Sequence, residues 1–429
     1  MVRIDSFKEA SEAFRAHLPD LSTDRFTTAA RQDVYEYARF FKENHAPPWL
    51  FELTQAWEKL YAEPFKSVTT DGVVRDGLFT VQDEGLDIQT VANAAEELLG
   101  KLDSEQKDKL QYPVTAREWR AWSNPEILLR PFGLRLEEVR EPICEAILRL
   151  IESSLSQEGY QKALGAMRIN HFLGEIVKLP RIMNQFSYNF LLFGSPSALP
   201  SSPWGWLLYG HHLCLAVFFR GPQVVIAPTF TGAEPNIIDA GEWAGTEILR
   251  KEGDLGLKFM QSLLSEQQKR AQTYELLKDP AMKQDGDLLT DRWNRDDQRH
   301  LCGAFRDNRI VPYEGITCSS SELSEEQQNL LLEILEEFII YLPPKSRALK
   351  LAEIRKHLDE TYFSWIGRYG DDDPFYYRIQ SPVILAEFDH HSGVFLSNTE
   401  PAKFHTHTIV RVPNAGDYGQ AIREPQHRL

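Results

Sequence analysis

The chain has 429 residues, of which 42% are hydrophobic and 26% charged, with a formal net charge of −16. These proportions fit a soluble globular protein with a large core. The acidic excess argues against a nucleic-acid partner and against an anionic membrane surface, since phosphates would be repelled; the expected partner is a small-molecule substrate.

Met1–Glu9 is too polar for a secretory signal,. No apolar run reaches the ~20 residues needed to span a bilayer. A cytoplasmic location is therefore expected. From about residue 5 to residue 180 the pattern is helical. Asp24 to Leu60 carries Val34, Tyr37, Ala38, Phe41 and Phe51 at helical spacing, interrupted at Pro47-Pro48,. Ala116 to Gly133 holds Trp119, Trp122, Pro125 and Pro131 and reads as a connector. Ser153 to Lys178 reads as helices in which His171 and Glu175 share a face.

The pattern changes near Ser187. Tyr188–Phe193 is aromatic and branched, Trp204 to Phe219 reads as one long strand, and Gln223 to Phe230 returns after the turn Arg220-Gly221-Pro222,. Thr246 to about Leu277 is helical, and residues 279 to 320 are polar and irregular. Ser324-Glu325-Glu326-Gln327 opens a further helix as a capping box, and Ser346 to Tyr362 is another. Phe375 to Ile379, Val383 to Asp389 and Phe404 to Val412 read as three strands.

The expected fold is therefore one α+β unit over 1–429. Residues 1–185 are mainly helical, and 186–420 carry an antiparallel sheet of about 5–7 strands packed with helices. The cysteines Cys144, Cys214, Cys302 and Cys318 form no C-x-x-C pair and read as reduced thiols.

The sharpest chemical signal is His405-Thr406-His407. Residues two apart on a strand share a face, so both rings can point at one atom. Glu387 lies in an apolar strand and needs a partner if buried. His211 or His212, of which one at most faces inward, would complete a metal site of three imidazoles and a carboxylate. The preceding Gly210 allows a bulge. His212 is the preferred inward residue, on the parity it shares with Cys214, Ala216 and Phe218 and with Trp204 and Trp206. His390-His391, beside Gly393, reads as a solvated turn.

Arg378 and Arg411 lie in otherwise apolar runs. Each either clamps an acidic group of the substrate or forms a structural ion pair, with Asp417 or Asp389 as partner. Trp204, Trp206, Trp365 and Tyr377 are candidates to line the substrate pocket, and Glu234 is a candidate loop carboxylate in the cleft. The chain contains no G-x-S-x-G elbow, Walker loop, H-E-x-x-H or G-x-G-x-x-G after a strand,.

Gly210-His211-His212, Thr231-Gly232-Ala233-Glu234-Pro235, Tyr376-Tyr377-Arg378, Glu387, His405-Thr406-His407 and Asp417-Tyr418-Gly419 together resemble a family of fungal and bacterial proteins catalogued as a domain of unknown function. The resemblance runs from about residue 25 to residue 420. It implies homology over that extent and carries no activity.

The residues point to an enzyme holding a divalent ion (zinc, iron, manganese or copper) and acting on a small organic, acidic substrate by hydrolysis, hydration or oxygen chemistry. The alternatives are a metal-free hydrolase, lyase or isomerase, with a histidine such as His212 as base and Glu387 orienting it or acting as acid, and a binding protein without chemistry.

Overall fold

The computed structural model describes residues 4–277, 279 and 310–423, with side chains from residue 7 onward. Cys302 and the polar stretch at 280–309 lie outside the described residues. The described cysteines Cys144, Cys214 and Cys318 are free and buried.

The N-terminal part is helical, as its periodicity predicts. Helices run over Ile4–Arg15, Asp24–Ala29, Val34–Asn44, Pro48–Ala62, Ile88–Gly100, Ser104–Leu110, Glu141–Ser154 and Gln157–Ile176. Two of them matter for the site. Val34–Asn44 starts at a capping box: the Glu36 N–H donates to Asp33 Oδ1 at 2.8 Å, and the Asp33 N–H donates to Glu36 Oε2 at 2.9 Å,. His45, in left-handed conformation, ends it,. Pro48 then sits in the first turn of the next helix, where a missing N–H is tolerated,.

The sheet is larger than expected, with twelve strands. These are β1 (Gln111–Tyr112), β2 (Leu134–Arg135), β3 (Tyr188–Phe193), β4 (Trp204–Gly210), β5 (Leu213–Arg220), β6 (Gln223–Ala233), β7 (Gln272–Tyr274), β8 (Ile316–Thr317), β9 (Tyr362–Gly367), β10 (Phe375–Gln380), β11 (Leu385–His391) and β12 (Ala402–Arg411). The main order is β1-β3-β4-β5-β6-β12-β11-β10-β9-β7, with β2 beside β3 and β8 beside β9. Five of the strands were not expected: β1, β2, β7 and β8 are too short to show a period of two, β7 lying within the stretch expected to be helical to Leu277, and the six-residue β9 was missed between the expected helix ending at Tyr362 and the expected strand at Phe375. β1 pairs with β3 and β7 with β9 in parallel; the other pairings are antiparallel. The fold class is α+β, as expected.

Two meanders, β3 to β6 and β9 to β12, join where β6 meets β12. There His407 faces Gly232 and Ile409 faces Phe230. Both sheet faces are covered. On one face Trp204, Trp206, Trp365 and Tyr377 pack with the helices Ile88–Gly100, Glu141–Ser154 and Glu325–Phe338. On the other, Cys214, Phe230 and Ile409 pack with Val34–Asn44, Pro48–Ala62, Trp119 and Trp122.

The single strand expected from Trp204 to Phe219 is in fact two. Residues 211 and 212 form a two-residue turn, Gly210 pairs with Leu213, and His212 takes φ 62°. A two-residue turn inverts parity: Trp206 pairs with Val217 and Tyr209 with Cys214. Trp204 and Trp206 therefore face away from Cys214, not with it.

His390 lies on the Trp365 face, between the rings of Phe375 and Phe388. Its Nδ1 accepts the Phe375 N–H at 3.1 Å. Burial, with the Lys403 charge adding to it, lowers its pKa from 6.5 to about 3,. The folded protein keeps this ring neutral while the unfolded chain takes up a proton, so the contribution is complete above about pH 6.5 and is lost as pH falls toward 3,. Replacing His390 by Asn keeps an acceptor for the Phe375 N–H and removes the titration. Between about pH 7.5 and about pH 5, wild type should lose on the order of 2 kcal/mol more unfolding free energy than His390→Asn. Parallel slopes in denaturant titrations at the two pH values would refute this.

Candidate metal centre

β12 directs His405 and His407 to one sheet face, the face that also carries Asp389, which pairs with His407 across β11. On the opposite flank of β12 stands Gly232, and beyond it the β4–β5 turn brings in His212. That turn is held from both sides: the His212 N–H donates to Asn124 Oδ1 at 3.0 Å, and the Gly232 N–H donates to the His212 carbonyl at 2.8 Å. A left-handed φ on a residue with a branched ring side chain is strained and persists only where its surroundings hold it.

The three imidazoles converge through their Nε2 atoms. His405 Nε2 lies 3.2 Å from His407 Nε2, which lies 3.3 Å from His212 Nε2. All three residues are buried, and this set could hold a metal ion. Bonds of ~2.0–2.1 Å at a tetrahedral centre put neighbouring nitrogens about 3.3–3.4 Å apart, so the spacing fits an ion.

The tautomers fit as well. A carbonyl only accepts, so His405 Nδ1, 2.8 Å from the Ser392 carbonyl, carries the proton and its Nε2 is a bare lone pair,. His391 Nδ1 donates to the same carbonyl at 2.6 Å, leaving its own Nε2 bare. Burial, reinforced by His211, His407, His405 and His391, holds the His212 pKa well below its usual value. The ring is thus neutral, the state in which imidazole binds metal.

Behind the rings stand two buried carboxylates. Glu234 Oε1 is 3.8 Å from His405 Nδ1, and Asp389 Oδ2 is 3.8 Å from His407 Nδ1. Glu234 accepts the backbone N–H groups of Val394, Phe395 and Leu396 at 2.9, 3.0 and 2.8 Å. It thereby fixes the loop whose Ser392 carbonyl orients His405 and His391. Burial raises its pKa to about 7 against the pull of those three amides.

Above the imidazoles lies a cavity of about 650 Å³. His212, His391, His405 and His407 form its floor, and Phe40, Phe41, Trp49 and Leu50 from the two N-terminal helices form a wall.

The structure thus brings together His212, His405 and His407, with His212 the inward member of its pair. His211 also lines the cavity but is not one of the converging ligands: its Nδ1 meets Asn170 Oδ1 at 2.9 Å, and its ring stacks on His212. Glu387 is not brought to the rings. It pairs with Ile409, one strand repeat from His407, and accepts a hydrogen bond from the Tyr376 hydroxyl. The carboxylate opposite His407 is Asp389.

Arg378 pairs with Glu314 at 3.0 Å, and Arg411 with Asp417 at 2.6 Å; both stand in structural ion pairs. Trp204, Trp206, Trp365 and Tyr377 are core residues of the opposite face, with indole or hydroxyl hydrogens bonded to Ser197, Ser154, Gly367 and Glu252 respectively. Glu234 binds loop amides and does not line the cavity. His171 and Glu175 lie 3.4 Å apart on a partly exposed helix face.

Sequence reasoning missed Asp389 and His391. His391 was expected in a solvated turn, and it belongs to the cavity floor. The phase of the Glu387 strand held the signal, because Glu387, Asp389 and His391 share a face.

Gly232 is the quietest requirement. A Cβ there would lie 2.7 Å from His212 Cδ2 and 2.8 Å from His407 Cδ2. Gly232→Ala should therefore spread the two rings and weaken metal binding by about tenfold or more, with the thermal transition still cooperative. Unchanged affinity in a competition titration against a chromogenic chelator would show that these two rings do not share an ion.

No curated protein and no solved structure matches the chain. A family model described as a protein of unknown function (DUF3500) matches residues 84–420. The match begins well after residue 25, so the helices forming the cavity wall precede it, while the imidazole floor lies inside it. It spans most of the chain, and the chain belongs to that family.

Proposed function

We propose that the chain is a metal-dependent enzyme acting on a small organic molecule in the cavity above His212, His405 and His407. The observation that carries this reading is the convergence of three Nε2 atoms at 3.2 and 3.3 Å, one of them a bare lone pair by its Ser392 hydrogen bond. An all-imidazole donor set suits zinc, iron or copper better than manganese, which prefers oxygen ligands. A bound ion would supply Lewis acidity and an acidified water at the open position toward the cavity.

The chain's own groups do the rest. Ser392 holds His405 and His391 in one tautomer. Glu234 holds Ser392's loop. His391, with its ring centroid 4.8 and 4.9 Å from those of His405 and His407, lines the cavity floor, where it serves as a proton acceptor or, with Asp389 and His407, as part of a second potential ligand group,. The apolar wall limits water and strengthens polar interactions at the floor.

Arg378 and Arg411 are committed to Glu314 and Asp417, which removes the reason to expect an acidic substrate. A metal-free acid–base site remains the rival reading, favoured by the placement of Asp389 behind His407.

Elemental analysis of protein prepared without a histidine tag separates the two. About one zinc, iron or copper per chain is expected. His407→Ala, which removes the ring common to both potential ligand groups, should lose most of it, and loss in His212→Ala but not in His391→Ala would assign the ion to the three-imidazole group. Protein that folds normally, yet takes up none of these ions after incubation and gel filtration, would end the metal reading.

A further inference from the structure

The metal reading leaves open what the cavity admits, and the wall chemistry answers that separately. The wall is aromatic and apolar: Tyr37, Phe40, Phe41, Trp49 and Leu50, faced by Ile127 from the connector after Trp122. The Tyr37 hydroxyl is already spent on Glu126 at 2.6 Å. The buried charges near the floor are also engaged: Glu234 by three backbone amides, Arg411 by Asp417 and Arg378 by Glu314. The charged residues lining the cavity, Asp24, Arg25 and Glu126, come from the wall side and offer both signs. Between mouth and floor a ligand meets mainly aromatic and aliphatic side chains, with Thr28, Gln32 and Asn124 as polar neighbours, and at the floor it meets imidazoles. A volume of about 650 Å³ is that of a small-molecule pocket,.

Resting on the metal reading, we propose that the substrate is a small aromatic molecule carrying one hydroxyl oxygen as its donor. The donor end takes the open position over His212, His405 and His407. The ring lies against the wall from the helices Val34–Asn44 and Pro48–Ala62, and Phe40 and Trp49 determine specificity. Aromatic walls favour flat aromatic guests through ring contacts beyond area burial. The two wall helices precede the matched family segment, whereas Ile127 and the floor lie within it, so the selectivity residues Phe40 and Trp49 and the imidazoles come from separate pieces of chain.

The test uses the full chain in two forms. On zinc-loaded protein, benzohydroxamate and acetohydroxamate present the same metal-binding head and differ by the ring. Calorimetry should give benzohydroxamate an advantage of about tenfold or more. The double variant Phe40→Ala/Trp49→Ala should reduce that advantage to within about threefold, and it should do so by weakening benzohydroxamate. Both side chains are more than a third exposed, 40% and 51%, so the variant keeps its core, and an unchanged melting temperature confirms it.

On chelator-treated protein, 2-naphthol should bind saturably, and the double variant should weaken it by about tenfold. Equal affinity for the two hydroxamates, or a ring preference that survives in the variant, would overturn the aromatic assignment and leave the metal centre standing. Naphthol binding without hydroxamate binding would uphold the aromatic chamber and refute the metal. No saturable naphthol binding would overturn the proposal whatever the metal content.

Discussion

Everything at the candidate site depends on one antiparallel ladder, the pairing of β6 with β12. Each strand is the last of its own meander, and neither meander contains the site alone. The ladder puts His407 against Gly232 and Ile409 against Phe230. Side chains alternate along a strand, so a one-residue slip would send His405 and His407 to the other face, into the aromatic core around Trp365 and Tyr377. Burial of Phe230 and Ile409 on the helix-covered face opposes that slip,. The apolar residues of this ladder therefore aim the histidines.

The ladder brings two rings, and the strained turn brings the third. His212 occupies a backbone region that few residues with side chains adopt, and three contacts hold it: the Asn124 side chain, the Gly232 amide and, one residue earlier, the Tyr188 hydroxyl on the His211 carbonyl at 3.0 Å. A residue held in such a conformation at the base of a cavity is the pattern expected where geometry serves binding rather than stability. Gly232 belongs to the same device, since its missing side chain is the space in which His212 and His407 meet.

The histidines were legible in the sequence because H-x-H on a strand has one geometric meaning. The helical N-terminal part, the Pro47-Pro48 break, the capping box at Ser324 and the α+β class were legible for the same reason, each being a local pattern. What failed was register and handed parity. Glu387 and Asp389 lie on the same face, and only the offset between β11 and β12 decides which one reaches His407. Trp204 and Trp206 appeared to share a face with Cys214, because a two-residue turn at His211-His212 cannot be told from continued strand when both flanks are apolar. Strands β1, β2 and β8 have two residues each; with no period to read, they exist only through their neighbours. The cavity wall was invisible for a further reason. Phe40 and Trp49 look like ordinary apolar helix positions, and only tertiary placement sets them over residues some 350 positions away.

The buried ionic groups around the imidazoles divide into closed pairs and two acids that stand behind the rings. The larger buried ionic groups close on themselves: Arg411 with Asp417, Arg378 with Glu314, Lys162 with Glu252. Glu234 and Asp389 stand apart from those pairs, each 3.8 Å behind a histidine Nδ1. Burial raises the Glu234 pKa to about 7 despite its three amide donors,. Carboxylates behind metal-bound imidazoles fix ring orientation and raise ligand basicity. The spacing of the Nε2 atoms, the tautomer imposed by Ser392 and the two acids behind the rings are all consistent with the proposed centre, and Glu234 serves it twice, through His405 and through the loop amides it accepts.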